Sequence, residues 1–77
     1  MSSEIDKILS GCIGKVIIIK LRNHTTIRGN LQAFDPHMNL ILTEVEDITE
    51  DKVKNLNKIL LRGDNILIVS PLEEKHQ

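Results

Sequence analysis

From Thr26 to Ala33 the side chains alternate: Ile27, Gly29, Leu31 and Ala33 on one side, Thr26, Arg28, Asn30 and Gln32 on the other. A period of two is the pleat of a β-strand. Apolar residues on one side only specify a strand with one buried and one wetted face, the usual state of an antiparallel sheet. A one-residue slip would turn the whole apolar set to water, so this segment dictates the register of its partners. Gly29, at an inward position, marks a sharp bend or the close approach of another backbone.

The flanking chain supplies the partners. Residues 15–22 hold the β-branched run Val16-Ile17-Ile18-Ile19, which predicts a strand buried on much of both faces, followed by a turn at Asn23-His24. After the Asp35-Pro36 turn a third strand is expected over 38–46, then an acidic loop over 46–51 into which Ile48 extends the pairing. A fourth strand is expected over 53–61, a tight turn at Arg62-Gly63-Asp64, and a very apolar fifth strand over 65–70. Upstream, Ile5, Ile8, Leu9 and Cys12 share one face of a helix over 3–12, with Ser3 as cap, Asp6 completing a capping box, and Gly11 and Gly14 as stop signals. The fold class is all-β with a short N-terminal α-helix: a strongly bent five-stranded antiparallel open barrel. It forms a single domain over 1–77, with the barrel over 14–70 and a flexible tail over 71–77.

With 77 residues the chain buries only about 60% of the surface its unfolded form exposes, and oligomerisation is a common remedy at this size. Its single cysteine, Cys12, allows no intramolecular disulfide, argues against a zinc site and is expected to be buried. An open barrel has two edges. The candidate edge sequences, Lys58-Ile59-Leu60-Leu61 and Asn65-Ile66-Leu67-Ile68-Val69, are too apolar to face water. Pairing of one subunit's fourth strand with its neighbour's fifth is a head-to-tail contact, which closes into a ring when the rotation fits.

Several function classes are set aside. Net charge is −1, which excludes bulk coating of nucleic acid by a basic tail while leaving room for a compact site. The N-terminal residues lack a signal-peptide pattern, and no apolar stretch approaches the roughly 20 residues of a membrane span, so no membrane partner and a cytoplasmic location are expected. His24, His37 and His76 show no metal-ligand spacing, and no nucleophile-base pair or phosphate-binding glycine loop is present. Neither catalysis, metal nor cofactor is expected. Asn23-His24-Thr25 and Arg62-Gly63-Asp64 match a glycosylation acceptor and an adhesion tripeptide, which have no meaning inside a cell.

What stands out is the turn Asp35-Pro36-His37-Met38-Asn39. Asp35 and Pro36 suit the first two positions of a β-turn, and shaping the hairpin suffices to explain them. His37 and Asn39, two apart on a chain entering a strand, are expected on one side, with Met38 opposite in the core beside Phe34. An imidazole beside a carboxamide offers a stacking plane next to a paired donor and acceptor, which suits an unstacked nucleobase.

Residues 14–42, with Gly29, Leu31, Asp35, Met38, Asn39 and Leu42 at matching spacing, resemble the first motif of the Sm family. Residues 59–69, centred on Leu61-Arg62-Gly63, resemble its second motif, and the likeness spans about 3–70. His37 in place of an aromatic residue looks like the archaeal branch. A Lys-His pair typical of the bacterial host-factor branch is missing from the second motif. The resemblance implies a homo-oligomeric ring, usually of seven subunits in archaeal members, that binds single-stranded U-rich RNA at the pore rim as a chaperone or processing scaffold, with RNA-processing proteins as further partners. By matching position, the base lies between His37 and Arg62, Asn39 reads its edge, and Asp64, beside Gly63, holds Asn39 in orientation. Gly63 then serves either a positive φ or the close approach of RNA. The alternatives are a protein-interaction scaffold ring and a subunit of a mixed ring.

Overall fold

The computed structural model describes residues 4–72. A helix α1 (Glu4–Cys12) precedes five strands: β1 (Val16–Leu21), β2 (Thr26–Phe34), β3 (Leu40–Asp47), β4 (Lys54–Leu61) and β5 (Ile66–Pro71). All pair antiparallel in one sheet of order β4-β3-β2-β1-β5. The proposed cap Ser3 and the end of the expected tail lie outside the described residues, while Pro71 belongs to β5. The described helix, nine residues long, is too short to cross a membrane.

Consecutive strands β4 and β5 occupy opposite edges of the sheet, and that alone requires strong curvature. Only residues 62–65 join them, and 63–65 form a compact 3₁₀ turn. Five Cα steps reach about 17 Å when extended, and less with a 3₁₀ turn rising ~2 Å per residue. Edges of a flat five-stranded sheet stand about 19 Å apart. The sheet must therefore curl until its edges approach.

Bulges supply the curl. Register shifts fall between Arg28 and Asn30 and between Leu31 and Ala33 where β2 meets β3, and on either side of Val45 where β3 meets β4. Glu44 and Asn57 adopt left-handed φ of 51° and 65°. An extra residue in one strand bends the ladder and increases its twist. Gly29 sits at the first shift, and a Cβ there would lie 2.9 Å from Val45 Cγ2 and 3.3 Å from the Thr43 carbonyl oxygen. The close approach read from the sequence is a contact of β2 on β3.

The core gathers Leu9, Cys12, Ile17, Ile19, Ile27, Leu31, Leu40, Leu42, Val45 and Leu61, with Phe34 and Met38 packed against it. Three details depart from the sequence reading. β1 alternates, Ile17 and Ile19 fully buried and Val16 and Ile18 only partly, because a single sheet and one helix cannot cover both of its faces. Ala33 is exposed, since the shift after Leu31 breaks the alternation. On α1 only Leu9 and Cys12 are buried; Ile5 and Ile8 are 57% and 51% exposed. The helix also runs through Gly11 and stops at Cys12, with Gly14 taking the left-handed φ of 81° that ends it. Ile48 continues the pairing as expected, its N–H donating to the Thr26 carbonyl at 2.9 Å.

Both edges are apolar. Leu56 and Leu60 of β4 are 40% and 69% exposed, and Leu67 and Ile68 of β5 are 58% and 54% exposed.

Candidate nucleic-acid interface

The β2–β3 turn is built around one carboxylate. Asp35 Oδ1 accepts from the backbone N–H of His37 (2.9 Å) and of Asn39 (3.0 Å), and Oδ2 accepts from the Asn39 side-chain amide (3.0 Å). The Met38 N–H closes the turn on the Asp35 carbonyl at 3.0 Å, and the Asp35 N–H donates to the Asn39 carbonyl at 3.1 Å. Met38 is left-handed at φ 66°, so residues 37–39 form a turn rather than the first pleat of β3, which begins at Leu40. It is the turn that sets how His37 and Asn39 stand to each other.

These donors hold the Asp35 carboxyl below its ordinary value of 3.8. The Asn39 backbone N–H acts most strongly, then the Asn39 amide, with smaller help from His37 and against a desolvation that raises it.

The second turn packs directly onto the first. The Gly63 N–H donates to Asn39 Oδ1 at 2.9 Å. A Cβ built on Gly63 would land on the His37 carbonyl oxygen and lie 2.9 Å from Met38 C and Cβ. Its φ is not left-handed, so neither a positive φ nor room for a ligand explains the glycine. It is there because two backbones touch.

Asn39 thus sits between a carboxylate and an N–H. A carboxamide has two N–H donors and two acceptor lone pairs. Asp35 takes one donor and Gly63 one lone pair, leaving one of each for a ligand. Flipping the amide would face oxygen to carboxylate and NH₂ to N–H, so the orientation is set. The expected holder, Asp64, does not do this. Its Oδ2 accepts from the Arg62 guanidinium at 3.2 Å, and a carboxylate across the first turn reaches the Asn39 amide instead. Asp35, expected only to shape the hairpin, does both jobs. Pro36 is exposed within the turn.

Arg62 and Asp64 remain exposed, at 74% and 66% of their side chains, where an ion pair adds little to stability. Their side chains are accessible beside the locked junction of the two turns. The sequence reading missed Arg22. Its Nε donates to the Asp64 carbonyl oxygen at 2.8 Å and its backbone N–H to the Asn65 carbonyl at 2.9 Å, so the β1–β2 turn clamps the end of the 3₁₀ turn. No local pattern announces a contact across 42 residues.

The likeness to known proteins follows the same lines. An LSM domain model matches residues 7–71. The snRNP Sm-like proteins of Methanococcoides burtonii and Pyrococcus abyssi are 37% and 38% identical over 65 and 63 residues. Those matches span 83% and 80% of this chain, and 90% and 84% of theirs. A heptameric archaeal Sm protein superposes with a TM-score of 0.84 at 39% identity, over 87% of this chain and 98% of its own. For the SmAP1 heptamer of P. aerophilum the values are 0.89, 35%, 96% and 100%. For the Pyrococcus abyssi Sm protein in complex with a uridine heptamer they are 0.82, 32%, 92% and 100%. The chain belongs to the LSM-domain family of Sm-like proteins.

Proposed function

We propose that this protein is a non-catalytic RNA-binding ring that holds single-stranded U-rich RNA at its pore rim, as a chaperone or processing scaffold. The orientation of Asn39 carries this reading. Its spare lone pair accepts from uracil N3–H and its spare N–H donates to a ring carbonyl. Cytosine, with an acceptor at N3 and an amine at C4, offers the reverse pattern. His37 and the Arg62 guanidinium supply planes for the base to stack on, each stacked base contributing roughly 1–3 kcal/mol. Gly63 supplies the hydrogen bond that fixes the reader, and Asp64 steadies Arg62.

The apolar edges support the ring. Burying Leu60, Leu67 or Ile68 against a neighbour contributes on the order of 1–2 kcal/mol each, besides pairing the open N–H and C=O groups of β4 and β5. Seven subunits follow from the likeness to the heptameric relatives, which align over nearly their whole length.

Native mass spectrometry with and without a uridine heptamer tests assembly and RNA stoichiometry together. A stable monomer would defeat the ring. Anisotropy with uridine, cytidine and adenosine oligomers tests the pocket; equal affinity for all three favours a scaffold that does not read bases.

A further inference from the structure

Electrostatics leaves the proposed RNA site incomplete. The charged side chains of the two interlocked turns are Asp35, Arg62 and Asp64. Two carboxylates against one guanidinium give a net negative cluster, and the Arg62 charge is further compensated by Asp64 at 3.2 Å. Stacking and the Asn39 amide select a base, but neither offsets repulsion of an RNA backbone. A site for a polyanion needs another cation, held where the turns meet.

We propose that Arg22 is that cation, a phosphate-contacting residue of the same site. The proposal rests on the RNA-binding reading above. Arg22 is exposed, yet its guanidinium is not free to wander: Nε donates to the Asp64 carbonyl oxygen at 2.8 Å. Its own backbone N–H is pinned to Asn65 at 2.9 Å. Guanidinium has five N–H donors, and this anchor uses one. Both terminal amino groups remain, and among the described residues no side chain takes them. An anchored, planar fork with unused donors suits a phosphate, because little side-chain entropy is lost on binding. The anchor on Asp64, next but one to Arg62, places this fork against the turn that would stack the base. Adding its charge brings the cluster to neutrality before any contribution from neighbouring subunits around the pore.

The test is a salt titration by fluorescence anisotropy with fluorescein-labelled uridine and cytidine heptamers. Wild type, Arg22→Gln and Arg22→Lys are compared, each confirmed as a ring of wild-type mass. Loss of one phosphate contact to a single strand lowers the slope of log K against log salt by about 0.7. Referred to 1 M salt, that is about eightfold weaker binding at 50 mM and about threefold at 200 mM. Arg22→Gln is expected to show this loss with the uridine-over-cytidine ratio unchanged, and Arg22→Lys to keep the wild-type slope. Wild-type affinity and slope in Arg22→Gln would overturn the proposal. So would equal weakening in both variants at unchanged slope, which would make Arg22 a clamp only. If the wild type itself shows no preference for uridine, the RNA reading fails, and that outcome is distinct from either of these.

Discussion

Replacing Gly63 by alanine is the most direct probe of the junction, because it adds one methyl group where two backbones meet. The new Cβ would lie 2.9 Å from Met38 C and Cβ and against the His37 carbonyl oxygen. Those neighbours are main chain or its first side-chain carbon, so no flexible side chain can swing away. Alanine tolerates the φ at this position, which is not left-handed, and the cost is therefore steric. Overpacking of this kind costs about 1–3 kcal/mol, and separating the turns also weakens the Gly63 N–H bond to Asn39 Oδ1, worth about 0.5–1.5 kcal/mol net. Taking about 2 kcal/mol, a domain of this size melts roughly 8–16 °C lower. Gly11→Ala is the control: nothing lies within 4 Å of its Cβ, and its place in α1 should make alanine neutral or slightly stabilising. Thermal melts at matched protein concentration give the stability, and anisotropy with uridine and cytidine oligomers gives the discrimination. Gly63→Ala is expected to lose both stability and preference for uridine. A melting temperature within 2–3 °C of wild type (under about 1 kcal/mol), with discrimination intact, would refute the interlock of the two turns.

Two further outcomes follow from the same geometry. His37→Ala and Arg62→Ala should each weaken binding of a uridine oligomer by about 1–3 kcal/mol, roughly 5- to 150-fold, at unchanged ring mass by native mass spectrometry. The carboxyl of Asp35 is held below 3.8 in the folded chain, so its contribution to stability is complete above that value and is lost as pH falls through the lowered one. Asp35→Asn should melt lower than wild type at neutral pH by a gap that stays constant to about pH 5 and closes below about pH 4. Asp47, lowered chiefly by the Thr49 hydroxyl, is common to both proteins and cancels in the difference. A gap that persists undiminished at pH 3 would show that the Asp35 charge is not what matters.

Periodicity made the strands legible, and the apolar edges made the exposed flanks of β4 and β5 legible before any coordinates. What escaped depends on which residue lies across a turn. The two carboxylates near Asn39 are chemically alike. Asp64 adjoins Gly63 in sequence, whereas Asp35 reaches the amide only because Met38 turns left-handed and folds 39 back toward 35. The same bend replaces the pleat assumed for His37 and Asn39. Gly63 was recognised as necessary, but its reason, backbone on backbone, exists only once β2–β3 and β4–β5 meet. The bulges at Glu44 and Asn57 and the outward turn of Ala33 arise from pairing between strands and leave no local pattern. Arg22 is the extreme case, an ordinary turn arginine until the fold brings it to Asp64.

The position of the second turn couples recognition to assembly. Residues 62–65 are the sole link between β4 and β5, the two edges of the sheet. In a head-to-tail ring each edge is held by a different neighbour, so the turn carrying Arg62 and Gly63 is tethered at both ends by contacts outside its own subunit. A free subunit keeps the Asn39 and Arg22 bonds to this turn but lets its flanking strands fray. Leu60→Lys separates the two states, since Leu60 is 69% exposed and a lysine there should leave the subunit folded while placing a charge in the apolar interface. Native mass spectrometry should show monomer, with the circular dichroism of a folded β-protein. A uridine dinucleotide, short enough to occupy one site, removes the gain from multivalency. NMR titration should still find it bound more weakly by the monomer than by the ring. Equal affinity for the dinucleotide would mean that each subunit organises its pocket alone, and that the ring contributes only by repeating it.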